Sequence, residues 1–191
     1  MTSLARVTAM DRRGFVKALG GGVLVLVSAP SLGNGLEAQG RPGYPSDVNA
    51  YLHIAEDGKV TLFSGKIEMG QGIMTSLAQM AAEELGAPLE SFTVVAGDTA
   101  LVPFDQGTWG SMTTRFFGPA VRAAAAQARL EITALASQHF GVPRSALTVE
   151  NGVVYVTADH RRRADFGELV KGRQIATTVA ERAVLRAARD Y

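Results

Sequence analysis

Ala50, Leu52 and Ile54 alternate with Tyr51 and His53, a period of two that predicts a half-buried strand. Glu56-Asp57-Gly58 follows as a tight turn with glycine where φ must be positive, and Val60–Phe63 returns as the second arm of a hairpin. The period then changes. Ile73, Leu77, Met80, Ala81 and Leu85 recur at helical spacing, with Gln79, Glu83 and Glu84 assigned to other faces of the helix, and Gly86 and Pro88 end it. Phe92–Val95 reads as a third strand, stopped by Gly97-Asp98. From Thr99 to Phe117 no regular pattern persists, and a connection of that length is often functional.

A second helix begins at Gly118-Pro119, with proline well placed in the first turn. Its apolar face runs through Val121, Ala124, Ala128, Ile132, Leu135 and Phe140, and Gly141-Val142-Pro143 closes it. The alanine run Ala123–Ala126 either permits close approach by another element or reflects helix propensity alone. Leu147–Val149 and Val153–Val156, joined through Asn151-Gly152, read as a second hairpin, and Phe166–Val170 as a short helix. The order β-β-α-β-α-β-β predicts an α+β domain with a small mixed sheet and two main helices. No internal repeat is evident.

Before this body the pattern differs. Asp11-Arg12-Arg13-Gly14-Phe15-Val16-Lys17 precedes an apolar stretch from Ala18 to Ala29, too short for an ordinary transmembrane helix. The paired arginines with Phe15 and Lys17 resemble a twin-arginine export signal, so residues 1–38 are expected to be a signal segment directing the protein to the periplasm. Leu36-Glu37-Ala38 is the best cleavage candidate; the alternative is an uncleaved signal that stays as a membrane anchor. Residues 39–48, rich in Gly, Pro and polar residues, read as a linker, and residues 49–191 as the domain.

Composition narrows the chemistry. The 191 residues carry a formal net charge of +1, and their one basic run, Arg161–Arg163, reads as a solvated loop; a nucleic-acid partner is not expected. Cysteine is absent, so the chain holds no thiolate nucleophile, disulfide or iron–sulfur cluster of its own. The three histidines, His53, His139 and His160, lie far apart without ligand spacing, so any metal would arrive with its own ligands. Gly70-Gln71-Gly72 before a helix offers backbone N–H groups to an anion, or is simply a tight strand-to-helix turn; it matches neither the P-loop nor the dinucleotide fingerprint.

Taken together, the motifs are more specific. Gly65-Lys66-Ile67-Glu68-Met69-Gly70-Gln71-Gly72-Ile73-Met74-Thr75-Ser76-Leu77-Ala78-Gln79 is followed by Ala82-Glu83-Glu84-Leu85, Gly97-Asp98-Thr99, Gly107–Thr114 and Gly118-Pro119-Ala120-Val121. In this order and spacing they resemble the molybdopterin-binding subunit of the xanthine dehydrogenase and aldehyde oxidase family, over residues 49–191. The similarity is greatest to its exported branch, typified by the isoquinoline 1-oxidoreductase large subunit.

The resemblance implies a partial molybdenum-cofactor-binding domain and a molybdopterin-type cofactor, in the cytosine dinucleotide form. By motif, Gln71 matches a glutamine whose amide meets an oxo ligand on molybdenum. Gly70 and Gly72 would let the backbone approach the pterin, and Gly110, Ser111, Met112, Thr113 and Thr114 match a loop that holds the pterin and its phosphates. Ser111, Thr113 and Thr114 also read as ordinary capping residues, Asp98 as a turn cap, and Trp109 as either a funnel wall or packing. Glu68, Glu83 and Glu84 are poor candidates for a base, two of them for lying on an exposed helix face. The family's glutamate base lies further along its chain, and no residue here matches it, so no catalytic residue is expected in this chain.

Oxidation or hydroxylation of an aldehyde or N-heteroaromatic carbon would then need partners: a chain supplying the second cofactor-binding half, a 2Fe-2S subunit, and a cytochrome c acceptor. A split subunit, an inactive truncated product and a non-enzymatic exported binding module are the three readings that follow.

Overall fold

The computed structural model describes residues 20–27, 50–105, 107–179 and 184–187. The expected hairpin is present: strands β2 (Ala50–Ile54) and β3 (Val60–Ser64) pair antiparallel, Leu52 facing Leu62. Helix α1 (Ile73–Leu85) carries the chain over to β4 (Phe92–Ala96), which pairs parallel with β3. Helix α2 (Gly118–Phe140) then crosses beneath the sheet.

A strand the sequence pattern did not predict completes this sheet. Gly22–Val27, inside the stretch expected to be the apolar part of an export signal, forms β1. It pairs antiparallel with β2 and parallel with β8 (Gln174–Thr178), giving the order β4-β3-β2-β1-β8. The sheet therefore takes in six residues placed by sequence in the signal segment. The reason is packing. Val23 and Val25 face the main core and are fully buried, while Leu24 and Leu26 face the opposite side with Phe63, Val95, Leu101 and Val102. A run alternating β-branched Val23, Val25 and Val27 with Leu24 and Leu26, after three glycines, satisfies both faces of an interior strand better than it forms a helix. The twin-arginine motif, the cleavage candidate and the linker lie outside the described residues.

Three further strands, β5 (Leu147–Glu150), β6 (Val153–Val156) and β7 (Asp159–Asp165), form an antiparallel meander. Asn151 and Gly152, both at positive φ, make the β5–β6 turn as expected. β7 corrects the reading of Arg161–Arg163 as a loop: they belong to an edge strand whose arginines face solvent while Ala164 is buried. Helix α3 (Phe166–Val170) follows, with a capping box between Asp165 and Glu168. Helix α2 joins the layers. Ala123–Ala126 are all buried, so the alanine run serves close approach on several sides at once.

The same spacing that identified α1 also places Glu84, three residues beyond Ala81 and seven beyond Leu77, in the middle of its apolar stripe. Glu84 is 0% exposed, which corrects its assignment to a solvent face. Its carboxylate meets Arg122 of α2 through Nε at 2.8 Å and Nη2 at 2.5 Å, and accepts the Arg186 backbone N–H at 3.0 Å.

Candidate functional site

Two loops leave the sheet and lie against one another: residues 65–72, between β3 and α1, and residues 97–112, between β4 and α2. Ile67 N–H donates to Thr108 Oγ1 at 2.7 Å, and the buried Lys66 ammonium reaches Asp105 Oδ1 at 2.7 Å and the Gly107 carbonyl at 2.9 Å. The motifs Gly65–Gly72 and Gly107–Thr114, 35 residues or more apart in the chain, are thus neighbours in space.

In the first loop Gly70 and Gly72 take φ of 91° and 79°, a left-handed backbone that glycine adopts at little cost. Added Cβ atoms there would meet nothing within 4 Å, so the space above the loop is open. Gln71 lies between them, exposed. Its Oε1 accepts from Met69 N–H at 2.6 Å and its Nε2 donates to the Ile67 carbonyl at 2.9 Å, so the amide braces its own loop. An amide carries two N–H donors, and that contact uses one.

Glu68 organises the same turn, a role that sequence reasoning missed. Its carboxylate accepts from Gly70 and Gly72 N–H at 2.8 and 3.0 Å and from Met74 N–H at 3.1 Å. The N–H of Met74, then those of Gly72 and Gly70, hold its carboxyl below the usual carboxylate range. Such a group caps α1 from upstream and is a weak proton acceptor. The signal was a carboxylate just ahead of a helix with no Ser, Thr, Asp or Asn at its start.

The second loop ends in a left-handed pair, Gly110 at φ 61° and Ser111 at φ 55°. Ser111 is a non-glycine residue in a conformation usually reserved for glycine, a strain that concentrates at functional sites. The helix starts earlier than expected: Thr113–Phe117 form a π-helical turn running directly into α2, with Met112 at its head and no side chain capping it. Ser111 and Thr114 are exposed and Thr113 is buried, and none of them caps this turn. An uncapped helix start leaves N–H donors pointing outward. Arg115, one turn on, holds its guanidinium 5.0 Å from the Phe116 ring centre and is exposed. Sequence reasoning passed over this cation. Trp109, 51% exposed, stands at the rim with Met69, Phe104 and Phe116 also exposed.

The donor set therefore suits an anionic group that accepts hydrogen bonds: backbone N–H groups at a helix start, two exposed hydroxyls, a spare amide hydrogen and a cation, with open space above the glycines. Among the described residues no three His, Cys, Asp or Glu side chains gather as a metal-binding group.

The profile of the molybdopterin cofactor-binding domain matches residues 3–191. The chain belongs to that family. Among curated relatives, it is 34% identical over 145 residues to a nicotinate dehydrogenase subunit of Pseudomonas putida, covering 76% of this chain and 12% of that protein. It is 30% identical over 188 residues to the beta subunit of isoquinoline 1-oxidoreductase from Brevundimonas diminuta, covering 92% of this chain and 23% of that protein. In structure it resembles reconstituted CO dehydrogenase from Oligotropha carboxidovorans, with a TM-score of 0.58 and 26% identity over 76% of this chain and 18% of that one. Quinoline 2-oxidoreductase from Pseudomonas putida aligns with a TM-score of 0.55 and 28% identity over 62% of this chain and 15% of that one.

The α+β architecture, with a small mixed sheet and one dominant long helix, agrees with fragments of these proteins. The chain spans less than a quarter of the length of the relatives just named.

Proposed function

We propose that this chain is the cofactor-holding part of a molybdenum-dependent oxidoreductase acting on an aldehyde or N-heteroaromatic carbon. The observation that carries the reading is the convergence of two glycine loops and an uncapped helix start on one edge of the sheet, in a chain of the molybdopterin cofactor-binding domain family. When bound, the molybdenum cofactor supplies the two-electron redox chemistry. The chain's own residues bind and orient it. N–H groups at the start of the π-helical turn and the Ser111 and Thr114 hydroxyls would hold its phosphates, Arg115 would add a countercharge, and Gln71 would offer its remaining amide hydrogen to the bound group. Gly70 and Gly72 leave the room a planar pterin needs.

The relatives' names point to the same chemistry: nicotinate, nicotine and isoquinoline are N-heteroaromatic compounds. Several of those relatives are parts of larger multi-chain enzymes, so partner chains complete this one. We assign the partners as a chain that carries the second cofactor-binding half and the general base, a 2Fe-2S subunit and a cytochrome c acceptor. The cofactor is assigned as the cytosine dinucleotide form. The Arg12-Arg13 motif supports export through the twin-arginine route to the periplasm.

The test is metal content. Purified from its native host with its co-purifying partners, the tagged chain is expected to carry near-stoichiometric molybdenum together with iron. Neither metal, with the chain alone or aggregated, would overturn the reading and leave a remnant without cofactor.

A further inference from the structure

Beside the Ile67 side chain, which packs on Gly97, the space between the two loops is charged. It holds an ion pair: the Lys66 side chain is 3% exposed and the Asp105 side chain 1%, with Nζ and Oδ1 2.7 Å apart. Burying a lysine and an aspartate costs several kcal/mol in solvation, which the mutual attraction at best offsets. In some proteins such pairs are retained because they fix a geometry, and further contacts here join the same two loops. Lys66 Nζ also donates to the Gly107 carbonyl at 2.9 Å, and Asp105 Oδ1 accepts the Gly107 N–H at 2.8 Å. The ammonium lies 5.5 Å from the centre of the Phe117 ring, inside the π-helical turn.

Gly65 completes the arrangement. Its backbone does not need positive φ, yet a Cβ there would fall onto the Asp105 Cβ and lie 2.8 Å from the Pro103 carbonyl oxygen. Glycine at 65 thus lets the second loop come close enough for Asp105 to meet Lys66. The other carboxylate oxygen, Asp105 Oδ2, is buried and has no hydrogen-bond partner among the described residues.

We infer that Gly65, Lys66 and Asp105 form a latch that sets the spacing between the Gln71 loop and the Gly110–Thr114 loop, making Lys66 and Asp105 positioning residues for the cofactor. The inference rests on the cofactor reading for its purpose and on the ion pair for its existence. Neither residue needs to touch the cofactor. Their effect passes through the loop backbones: Ile67 N–H, next to Lys66, is tied to Thr108, two residues before Gly110.

Two measurements test it. Hydrogen–deuterium exchange on the chain reads the loops without any cofactor. Lys66→Met is expected to raise amide exchange in residues 99–112 at least tenfold, while α1, α2 and the β2–β3 hairpin keep their protection. The double variant Lys66→Met with Asp105→Leu, which removes both charges and their contacts to Gly107, is expected to leave that exchange raised, and restored protection there would overturn the latch by showing that only an unpaired buried charge had mattered. Molybdenum content of the assembled enzyme, followed over time during dialysis, reads the consequence: Lys66→Met and the double variant are both expected to lose the metal at least tenfold faster than the parent. Unchanged exchange in 99–112, or a rise spread over the whole sheet, would overturn the latch. Raised local exchange with unchanged molybdenum retention would overturn its role in positioning. If the unaltered assembled enzyme carries no molybdenum, the cofactor reading fails by itself, and the exchange measurement still decides whether the latch exists.

Discussion

Replacing Glu84 with alanine removes a charge from the contact between α1 and α2. The carboxylate is 0% exposed, and its partners Arg122 and Arg129 are 28% and 19% exposed in their side chains. It accepts two hydrogen bonds from Arg122 and one from the Arg186 backbone, while Arg129 Nη1 lies 4.0 Å from Oε2 and also donates to the Glu84 carbonyl at 2.6 Å. Removing one partner of a fully buried pair costs about 3–5 kcal/mol. Both guanidiniums reach water at their edges, so part of the charge left behind is solvated and the lower end applies, about 3 kcal/mol. With a urea m-value of roughly 2 kcal/mol/M for a domain of this size, the unfolding midpoint should fall by about 1.5 M. Urea titration followed by circular dichroism on the chain and its variant measures this directly. Glu83→Ala, one residue away and partly exposed, is the matched control, expected to change stability by no more than about 0.5 kcal/mol. A Glu84→Ala midpoint within about 0.3 M of the parent would refute the claim that this carboxylate fastens the two helices together.

Stability should also depend on His53. Burial holds its imidazole below the ordinary value, against the raising effect of the Gly21 carbonyl 3.2 Å from Nε2. The unfolded chain therefore takes up a proton first as pH falls through about 6.5. The melting temperature should drop from there toward the lower folded value, and a His53→Gln variant should flatten that drop; a parallel decline in both would assign it elsewhere. In the assembled enzyme, Gln71→Ala is expected to leave the fold intact and lower turnover, and unchanged kinetics at full molybdenum loading would remove Gln71 from the site. Arg12→Lys together with Arg13→Lys is expected to abolish export, measured as periplasmic accumulation, and normal accumulation would show that the arginine pair is not a signal.

Elements whose side chains alternate or recur on one face are legible from residue spacing alone. β2, β3, α1, β4, α2, the β5–β6 hairpin and α3 all fall where spacing and turn residues put them. What escaped shares a physical cause: pairing partners decided the outcome, not local pattern. Gly22–Val27 is apolar on both faces, and such a run is equally compatible with a helix until its neighbours are known. Asp159–Asp165 has one buried residue and is a strand because β6 offers it a ladder. Glu84 was misplaced because a carboxylate in an apolar stripe was assigned by its chemistry and not by its angle on the helix. At the site, the glycines, Gln71 and Ser111 to Thr114 stood out through their motifs. The loop-to-loop ion pair did not, since Lys66 and Asp105 are 39 positions apart and nothing in one announces the other.

Strand β1 sits between β2 and β8, and its six residues belong to the stretch that would be surrendered if the chain were cut after Ala38. Such a cut would leave β8 without a neighbour and uncover one whole row of backbone hydrogen-bonding groups on β2. Completion of this sheet and the proposed removal of a leader would therefore compete for the same segment. A domain cut there would need a strand from another source to fill the gap between β2 and β8, and an uncut one carries that strand itself.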